Sequence, residues 1–357
     1  MNFASLRARA ISYRDMGAFT MRNALRTHSR PGEVTVSSRD DSWVSTHGAL
    51  VNTDTPVAVT MANGTLVTDP DTNSALSEWD VPVVHRGRYT LPLELARVSN
   101  AALRFMSKGR HPFNQPCVRL VSDVRGSREI VLGTAGYFDG LCSNRLAGIA
   151  ITVRGGDFDF VRDYLTSRGG LTPLRESELA NGVGVSTLAL TTDGHLVLPH
   201  QGALSMSSGG LLAPSGSGSL DLGDIRRTSS ETLITGATRE LSEECGLSPS
   251  DIGESVLIGF GRWLDNGAKP EFVAVTQLLV DSERVLRSSA GIGGAESIWT
   301  HSVVTIPVDM GVVTEDPYAF KGSVLETVSR GAVPGERVSV PLEFGVRCLV
   351  ARASRNS

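Results

Sequence analysis

The chain has little that points to a membrane, and little that points to a nucleic-acid partner. No run of about 18 apolar residues occurs, so we expect no membrane span, and no apolar core of a secretory signal follows Met1. The formal net charge is −4, and lysine occurs only at Lys108, Lys269 and Lys321. Because the chain lacks a basic excess, we do not expect it to bind nucleic acid in general.

Cysteine is also scarce. The four cysteines, Cys117, Cys142, Cys245 and Cys348, are widely scattered, and no Cys-x-x-Cys pair or Cys/His cluster accompanies them. This pattern indicates neither a zinc site nor a disulfide framework. We therefore expect free thiols and a reducing, cytoplasmic location.

The length of 357 residues exceeds that of one ordinary domain and predicts two. The composition changes between Leu171 and Gly182, which predicts a smaller mixed α+β region of unknown role over 1–178 and a second domain over 179–357 that folds by itself. Residues 1–32 are rich in arginine. A transit peptide or a nucleic-acid arm would have such a start, but we favour a helix or a frayed tail that packs on its own domain.

Short patterns predict several elements of the first region. Residues 57–62 and 65–68 flank Asn63-Gly64 and predict a hairpin with a tight turn. Further expectations are a helix over 91–106, paired strands over 117–121 and 129–132, an apolar run over 146–153 and a short helix over 158–167.

The most informative segment is an amphipathic helix predicted over about 230–245. Thr228 to Glu231 form a start signal, and Gly246 followed by Pro249 forms a stop signal. An apolar stripe recurs every four residues at Leu233, Ala237, Leu241 and Cys245. On the same helix, Glu240, Glu243 and Glu244 fall within an arc of about 100°. Such carboxylates repel one another unless a cation lies between them, and hard oxygen ligands suit Mg²⁺.

The segment Arg239-Glu240-Leu241-Ser242-Glu243-Glu244-Cys245-Gly246-Leu247, with Glu231 eight residues before its arginine, resembles the signature of the Nudix hydrolases. Its fixed positions would arise by chance in roughly one chain of this size in tens of thousands. The resemblance implies a Mg²⁺- or Mn²⁺-dependent enzyme that splits the pyrophosphate of a nucleoside diphosphate linked to another group. A solvated row of glutamates is the alternative, and the surrounding signature disfavours it.

The resemblance also implies a fold, an α/β/α sandwich with a mixed sheet. The flanking patterns agree with it: a hairpin of strands over 183–191 and 195–200, a Ser/Gly-rich phosphate-side loop over 205–219, and two strands over 256–264 and 272–280. A helix over about 318–330 and a last strand over 338–350 would close the domain.

The family roles carry over to individual residues of this chain. By resemblance, Glu240, Glu243 and Glu244 are the metal ligands, and Arg239 and Glu231 orient them through a salt bridge. The base is expected to be Glu240, Glu244 or a residue of a distant loop. The signature normally begins with a glycine where this chain has Ile225, so the loop before the helix must follow another path. Weaker candidates for substrate contact are His200, His301 and one of Arg262 and Trp263.

Two functions remain open from the sequence. The first is a pyrophosphohydrolase, and the second is a Nudix-fold binding or regulatory protein that does not turn its nucleotide over. A short segment from Gly133 to Asn144 resembles one that precedes the catalytic domain in Nudix proteins cleaving UDP-sugars. It tilts the substrate prediction towards a nucleoside diphosphate linked to a sugar or a second nucleoside. The sequence leaves the oligomeric state open.

Overall fold

The computed structural model of the protein describes residues 3–27, 33–39, 57–61, 63–108, 112–156, 158–202, 209–291, 300–308 and 338–356. These residues adopt a mixed α/β fold, which confirms the predicted class. The helices are α1 Phe3–Thr27, α2 Pro70–Ala75, α3 Leu93–Met106, α4 Tyr137–Leu141, α5 Ser229–Cys245, α6 Ser282–Ser289 and α7 Val340–Asn356. Within these segments, no helix is long and apolar enough to cross a bilayer.

The strands are short apart from the two that follow α5. They are β1 Val34–Ser38, β2 Val57–Met61, β3 Gly64–Thr68, β4 Val83–Arg88, β5 Pro116–Leu120, β6 Ile130–Gly136, β7 Ile149–Val153, β8 Thr166–Ser167, β9 Gly170–Leu171, β10 Gly184–Leu190, β11 His195–Gln201, β12 Gly216–Ser219, β13 Ile252–Trp263, β14 Lys269–Leu278 and β15 Thr300–Pro307. The predicted hairpin of β2 and β3, the strand pair β5 and β6, and the helix α3 are confirmed.

The central element is a mixed eight-stranded sheet in the order β15-β11-β10-β14-β13-β3-β2, with β12 also paired to β10. Strands β10 and β14 run parallel, and the other neighbours run antiparallel. Along β14, Phe272 and Ala274 pack with α5, whereas Val273 packs with α7. Because successive side chains of a strand point to opposite faces, the two helices cover opposite faces of this sheet. The expected sandwich is therefore present.

The hairpin predicted before α5 is present, but its two strands separate beyond the turn. Strands β10 and β11 pair only at Leu190 and Leu196, next to the turn. Farther along, the Ser215 hydroxyl lies between them, where it accepts from the Ala189 N–H at 2.7 Å and donates to the Val197 carbonyl at 2.5 Å. The chain after Ser215 then pairs with β10 as β12, which carries the end of the Ser/Gly-rich stretch against the sheet.

The arginine-rich start forms a helix, which is one of the two forms expected from the sequence. Phe19 of α1 is buried and meets Phe138 edge-to-face, with ring centroids 5.5 Å apart. The Arg26 guanidinium donates to the Leu91 carbonyl at 2.7 Å, just before α3. These contacts tie α1 to the core that α3 and α4 form.

Backbone hydrogen bonds cross the predicted division at residue 178. Strand β3 pairs with β13 between Leu66 and Trp263. The Val118 N–H of β5 donates to the Leu220 carbonyl at 3.0 Å, directly after β12. The Ser229 N–H, the first of α5, donates to the Val81 carbonyl at 2.8 Å. The first region thus contributes strands to the sheet and contacts to both ends of the segment that leads into α5.

The strand predicted over 338–350 is wrong, because these residues form helix α7. Apolar residues alternate from Val340 to Val350, which suggested a strand, but nearly every side chain of this stretch is buried. A helix enclosed on all sides loses its polar face, so its sequence no longer shows a period of 3.6. The start signal was readable: the Ser339 hydroxyl accepts from the Leu342 N–H at 3.4 Å, and Pro341 lies in the first turn.

Two further expectations are confirmed only in part, and a third is not tested. The run over 146–153 divides into a 3-10 turn, Asn144–Gly148, and strand β7. The helix predicted over 158–167 is reduced to a π turn, Val161–Leu165, followed by β8. The helix predicted over 318–330 lies outside the described residues.

Candidate active site on helix α5

Helix α5 forms as its sequence signals predict. It runs from Ser229 to Cys245, and the Thr228 hydroxyl caps it by accepting from the Glu231 N–H at 3.4 Å. Gly246 ends it in the left-handed conformation with φ 66°. The stripe of Leu233, Ala237, Leu241 and Cys245 is buried. The helix is therefore fixed at both ends and along one side, which sets the direction of its glutamates.

The three glutamates differ in exposure and in partners. Glu244 is buried, whereas Glu240 exposes 14 % of its side chain and Glu243 exposes 47 %. The Arg239 Nη1 atom lies 3.0 Å from Glu240 Oε1 and 3.1 Å from Glu243 Oε2. Two of the carboxylates thus converge on a single cationic nitrogen.

Glu244 is oriented by two donors from outside the helix. The Gln201 Nε2 atom donates to Oε1 at 2.9 Å, and the Ser217 N–H donates to Oε2 at 3.1 Å. Gln201 ends β11 beside a register shift at His200, and its side chain is buried. Each oxygen of Glu244 therefore has a fixed neighbour.

The salt bridge expected between Arg239 and Glu231 is wrong. Arg239 instead binds Asp224, with Nε 3.0 Å from Oδ1 and Nη2 3.0 Å from Oδ2. Glu231 is an exposed residue of the first turn of α5. Arg239 lies eight residues after Glu231, which is about 12 Å farther along the helix axis. Its guanidinium lies beside the later glutamates of α5 and therefore does not reach Glu231.

Strand β12 approaches α5 closely because it contains glycine. A Cβ at Gly216 would lie 2.3 Å from the Leu241 nitrogen, and a Cβ at Gly218 would lie 2.1 Å from Glu240 Oε1. Gly236 plays the same part from within the helix, because a Cβ there would lie 2.5 Å from Leu220 Cδ1. Gly216 and Gly218, at the end of the Ser/Gly-rich stretch, are thus explained by their close contact with the glutamate-bearing helix.

Burial and repulsion between neighbouring carboxylates make Glu240 and Glu244 hard to ionise. Burial raises the pKa of Glu240 to about 7, against the lowering effect of Arg239. Burial also raises the pKa of Glu244, although the Gln201 hydrogen bond opposes it, and Glu240 and Glu243 add repulsion. A divalent cation would relieve both effects, since it favours the charged forms.

The chemistry of these oxygens suits Mg²⁺ or Mn²⁺. Among the described residues, no three or more His, Cys, Asp or Glu side chains are already grouped around one point. The pair Glu240 and Glu243, however, already converges on one cation, the Arg239 guanidinium. Mg²⁺ is usually held by one or two carboxylates, with water and phosphate oxygens completing the octahedron. Two converging carboxylates with Glu244 one turn away fit that requirement.

The weaker sequence candidates have other surroundings. Arg262 is buried and donates to the carbonyls of Ala268 and Thr172, so its charge joins two segments of the fold. Trp263 packs in the core beneath α7. His200 lies on β11 next to Gln201, and His301 lies on β15, but its side chain is outside the described set. Ile225 has φ −64°, which isoleucine adopts readily.

The segment from Gly133 to Asn144 has an internal role in the structure. The Asn144 amide donates to Asn181 Oδ1 at 3.0 Å and to the Gly267 carbonyl at 2.9 Å, and its Oδ1 accepts from the Asn181 N–H. Asn144 thus joins the first region to the turn between β13 and β14.

Sequence reasoning missed Gln201 and Asp224, the two side chains that hold the glutamate cluster from outside. A signal for Asp224 exists, because Asp221-x-x-Asp224 has the spacing of a capping box, and the structure contains that box. Gln201 has no local signal, since only the opened hairpin brings it to Glu244.

The class that fold and site define is an α/β/α sandwich with a carboxylate cluster on one outer helix. No protein-family model matches the chain, and no curated protein matches it. Among the solved structures that are similar are two with 16 % identity each. DR0079 from Deinococcus radiodurans aligns over 54 % of this chain and 98 % of its own, with a TM-score of 0.30. A Nudix hydrolase from Nitrosomonas europaea aligns over 45 % and 94 %, with a TM-score of 0.25.

Proposed function

We propose that this protein is a metal-dependent pyrophosphohydrolase of the Nudix type. The observation that carries the proposal is the convergence of Glu240 and Glu243 on one cationic nitrogen, beside a buried and oriented Glu244. These residues match the signature that the sequence resembles. A plain solvated helix face would not bury Glu244 or line it with donors.

Each residue has a proposed role. Glu240 and Glu243 hold Mg²⁺ or Mn²⁺, and Glu244, fixed by Gln201 and Ser217, supplies a further oxygen or takes the proton from the attacking water. Glu240 is the other candidate for the base. The ion, when bound, neutralises the pyrophosphate and activates water. Arg239 holds the carboxylates of Glu240 and Glu243 in position.

The favoured substrate is a nucleoside diphosphate linked to a sugar or a second nucleoside. Its products are a nucleoside monophosphate and a phosphorylated leaving group. We expect no membrane or general nucleic-acid partner. The four cysteines are free thiols, which supports the expectation of a reducing cytoplasm.

The second candidate is a nucleotide-binding regulator without turnover. One observation favours it: Arg239 already neutralises Glu240 and Glu243, and no complete group of three ligating side chains is assembled in the described part of the chain. A protein that never binds the ion would keep this arrangement.

A substrate screen separates the two candidates. The purified protein is incubated with Mg²⁺ or Mn²⁺ and UDP-sugars, ADP-ribose, NADH, dinucleoside polyphosphates or plain triphosphates, and nucleoside monophosphate is measured. We expect release from a linked diphosphate and loss of at least 100-fold in Glu243→Gln and Glu244→Gln. Preference for a plain triphosphate would reject the substrate class. Inactivity on all compounds with tight binding of one would favour the regulator.

Metal binding is measured separately by isothermal titration of Mg²⁺ and Mn²⁺. Because both variants remove a carboxylate charge without changing side-chain size, we expect each to weaken binding about 10-fold or more. Unchanged affinity in both folded variants would remove the metal assignment.

A further inference from the structure

Arg239 has an anchor outside the signature. Asp224 is 3 % exposed, and it accepts from Arg239 at both oxygens. Its Oδ2 also accepts from the Asp221 N–H at 2.8 Å, which fixes the carboxylate within its own 3-10 turn. A Cβ at Gly236 would lie only 3.2 Å from Oδ2, so the absence of a side chain there gives Asp224 its room.

The anchor decides which nitrogen reaches the glutamates. Nε and Nη2 are taken by Asp224, and Nη2 also donates to the Ser219 carbonyl at 3.0 Å. Only Nη1 is directed towards Glu240 and Glu243. A planar guanidinium held on one edge cannot rotate to grip either glutamate with two nitrogens.

We propose that Asp224 is a positioning residue for the cation site, acting through Arg239. The inference rests on the proposed function, since it concerns the same site. Without the charge of Asp224, the guanidinium has Glu240 and Glu243 as its remaining carboxylate partners and binds them more fully. A divalent cation must then displace it. Asp224 thus keeps the guanidinium from occupying the position that the metal ion needs.

The test is a double-mutant cycle of Mn²⁺ affinity, read by electron paramagnetic resonance of free Mn²⁺. The proteins are the wild type, Asp224→Asn, Arg239→Met and the double variant, each at a temperature where it is folded. We expect Asp224→Asn to weaken binding 10- to 100-fold, as for other residues that orient ligands. In the Arg239→Met background the same change should alter affinity less than twofold, because its intermediary is gone. Losses that multiply would overturn the proposal.

Two further variants sharpen the cycle. Asp251→Asn is the matched control, because Asp251 is also a buried aspartate that closes a 3-10 turn and lies 3.6 Å from an arginine, Arg284. It should leave Mn²⁺ affinity unchanged. Glu231→Gln tests the alternative that Glu231 positions Arg239. A loss of Mn²⁺ affinity equal to that of Asp224→Asn would assign the positioning role to Glu231. If Arg239→Met does not fold, Asp224→Glu replaces it in the test. This variant keeps the carboxylate charge but moves its position, so we expect it to weaken Mn²⁺ binding. Unchanged Mn²⁺ affinity in Asp224→Glu would overturn the proposal.

The anchor is also visible without metal. The Arg239 Nε–H resonance of the metal-free protein should shift in Asp224→Asn and stay in Glu231→Gln and Asp251→Asn. If the wild-type protein binds no Mn²⁺, the proposed function is rejected. The Arg239 Nε–H resonance then still tests the contact between Asp224 and Arg239 by itself. An unshifted signal in Asp224→Asn would reject the anchor.

Discussion

Single charges dominate the behaviour of this site at the scale of one residue. The Glu240 carboxylate lies against Gly218 of β12, and only 14 % of the Glu240 side chain is exposed. Its pKa of about 7, against 4.5 for a free glutamate, means that the folded protein binds the proton more tightly than the unfolded chain does. Ionisation of Glu240 therefore opposes folding of the metal-free protein.

The sign of the resulting pH dependence follows from linkage. Between pH 4.5 and 7 the folded state holds more protons, so the contribution of Glu240 to stability falls as the pH rises through this range. We expect Glu240→Gln to raise the Tm of the metal-free protein at pH 8 relative to the wild type, and to change it little at pH 5. The free-energy difference is on the order of 3 kcal/mol at most. Calorimetry at both pH values checks it, and equal shifts at both would contradict the pKa.

Packing of β12 on α5 is decisive at the scale of elements. Strand β12 is rich in glycine, so it approaches α5 until Gly216 meets the backbone of Leu241. This contact brings the Ser217 N–H to Glu244 and places Gly218 beneath Glu240. Strand β12 therefore contacts and supports two of the three glutamates, Glu240 and Glu244.

Alanine at the two glycines should have separable effects. In Gly218→Ala the new methyl group meets a movable carboxylate, so we expect weaker Mn²⁺ binding, about 10-fold, with little loss of stability. In Gly216→Ala it meets backbone, so we expect destabilisation of about 2 kcal/mol or more. Gly223→Ala, with open space around its Cβ, is the control. Chemical denaturation and Mn²⁺ titration of the three variants separate the effects, and identical profiles for Gly216→Ala and Gly218→Ala would contradict the geometry.

Contacts between the two regions matter at the scale of the whole molecule. The predicted division at residue 178 is crossed by β3 on β13 and by Val81 on the first turn of α5. Removing the first region would leave the β13 edge unpaired and would expose core residues such as Leu257 and Phe272, which pack with Leu76 and Val118.

We therefore expect a chain that begins at Glu176 to lose cooperative folding, whereas the full chain unfolds in one transition. The physical reason is that the first region completes both the sheet and the core beneath α5. Calorimetry of the two proteins is the measurement. A mixture of the fragment that begins at Glu176 with the fragment that precedes it is the control for reassociation. A sharp transition in the fragment that begins at Glu176 would support the autonomous second domain that the sequence alone predicts.

The sequence determined much of the site by local rules. Caps, a period of 3.6 and glycine at the C-terminal end predict α5 to within one residue, and the spacing of Glu240, Glu243 and Glu244 predicts their shared side. These features depend on neighbours within a few residues, so they can be read without the fold. The hairpin of β2 and β3 and the paired strands β5 and β6 follow for the same reason.

Only the tertiary structure decided how the site is held. Asp224 and Gln201 reach the glutamates through a loop and an opened hairpin, and no spacing in the sequence encodes those approaches. The final helix α7 was misread as a strand because burial on all sides removes the polar face that marks a helix. The contacts between the two regions were hidden likewise, since pairing of β3 with β13 joins residues almost 200 positions apart. Local propensity sets elements, whereas partners over such distances are chosen by packing of the whole chain.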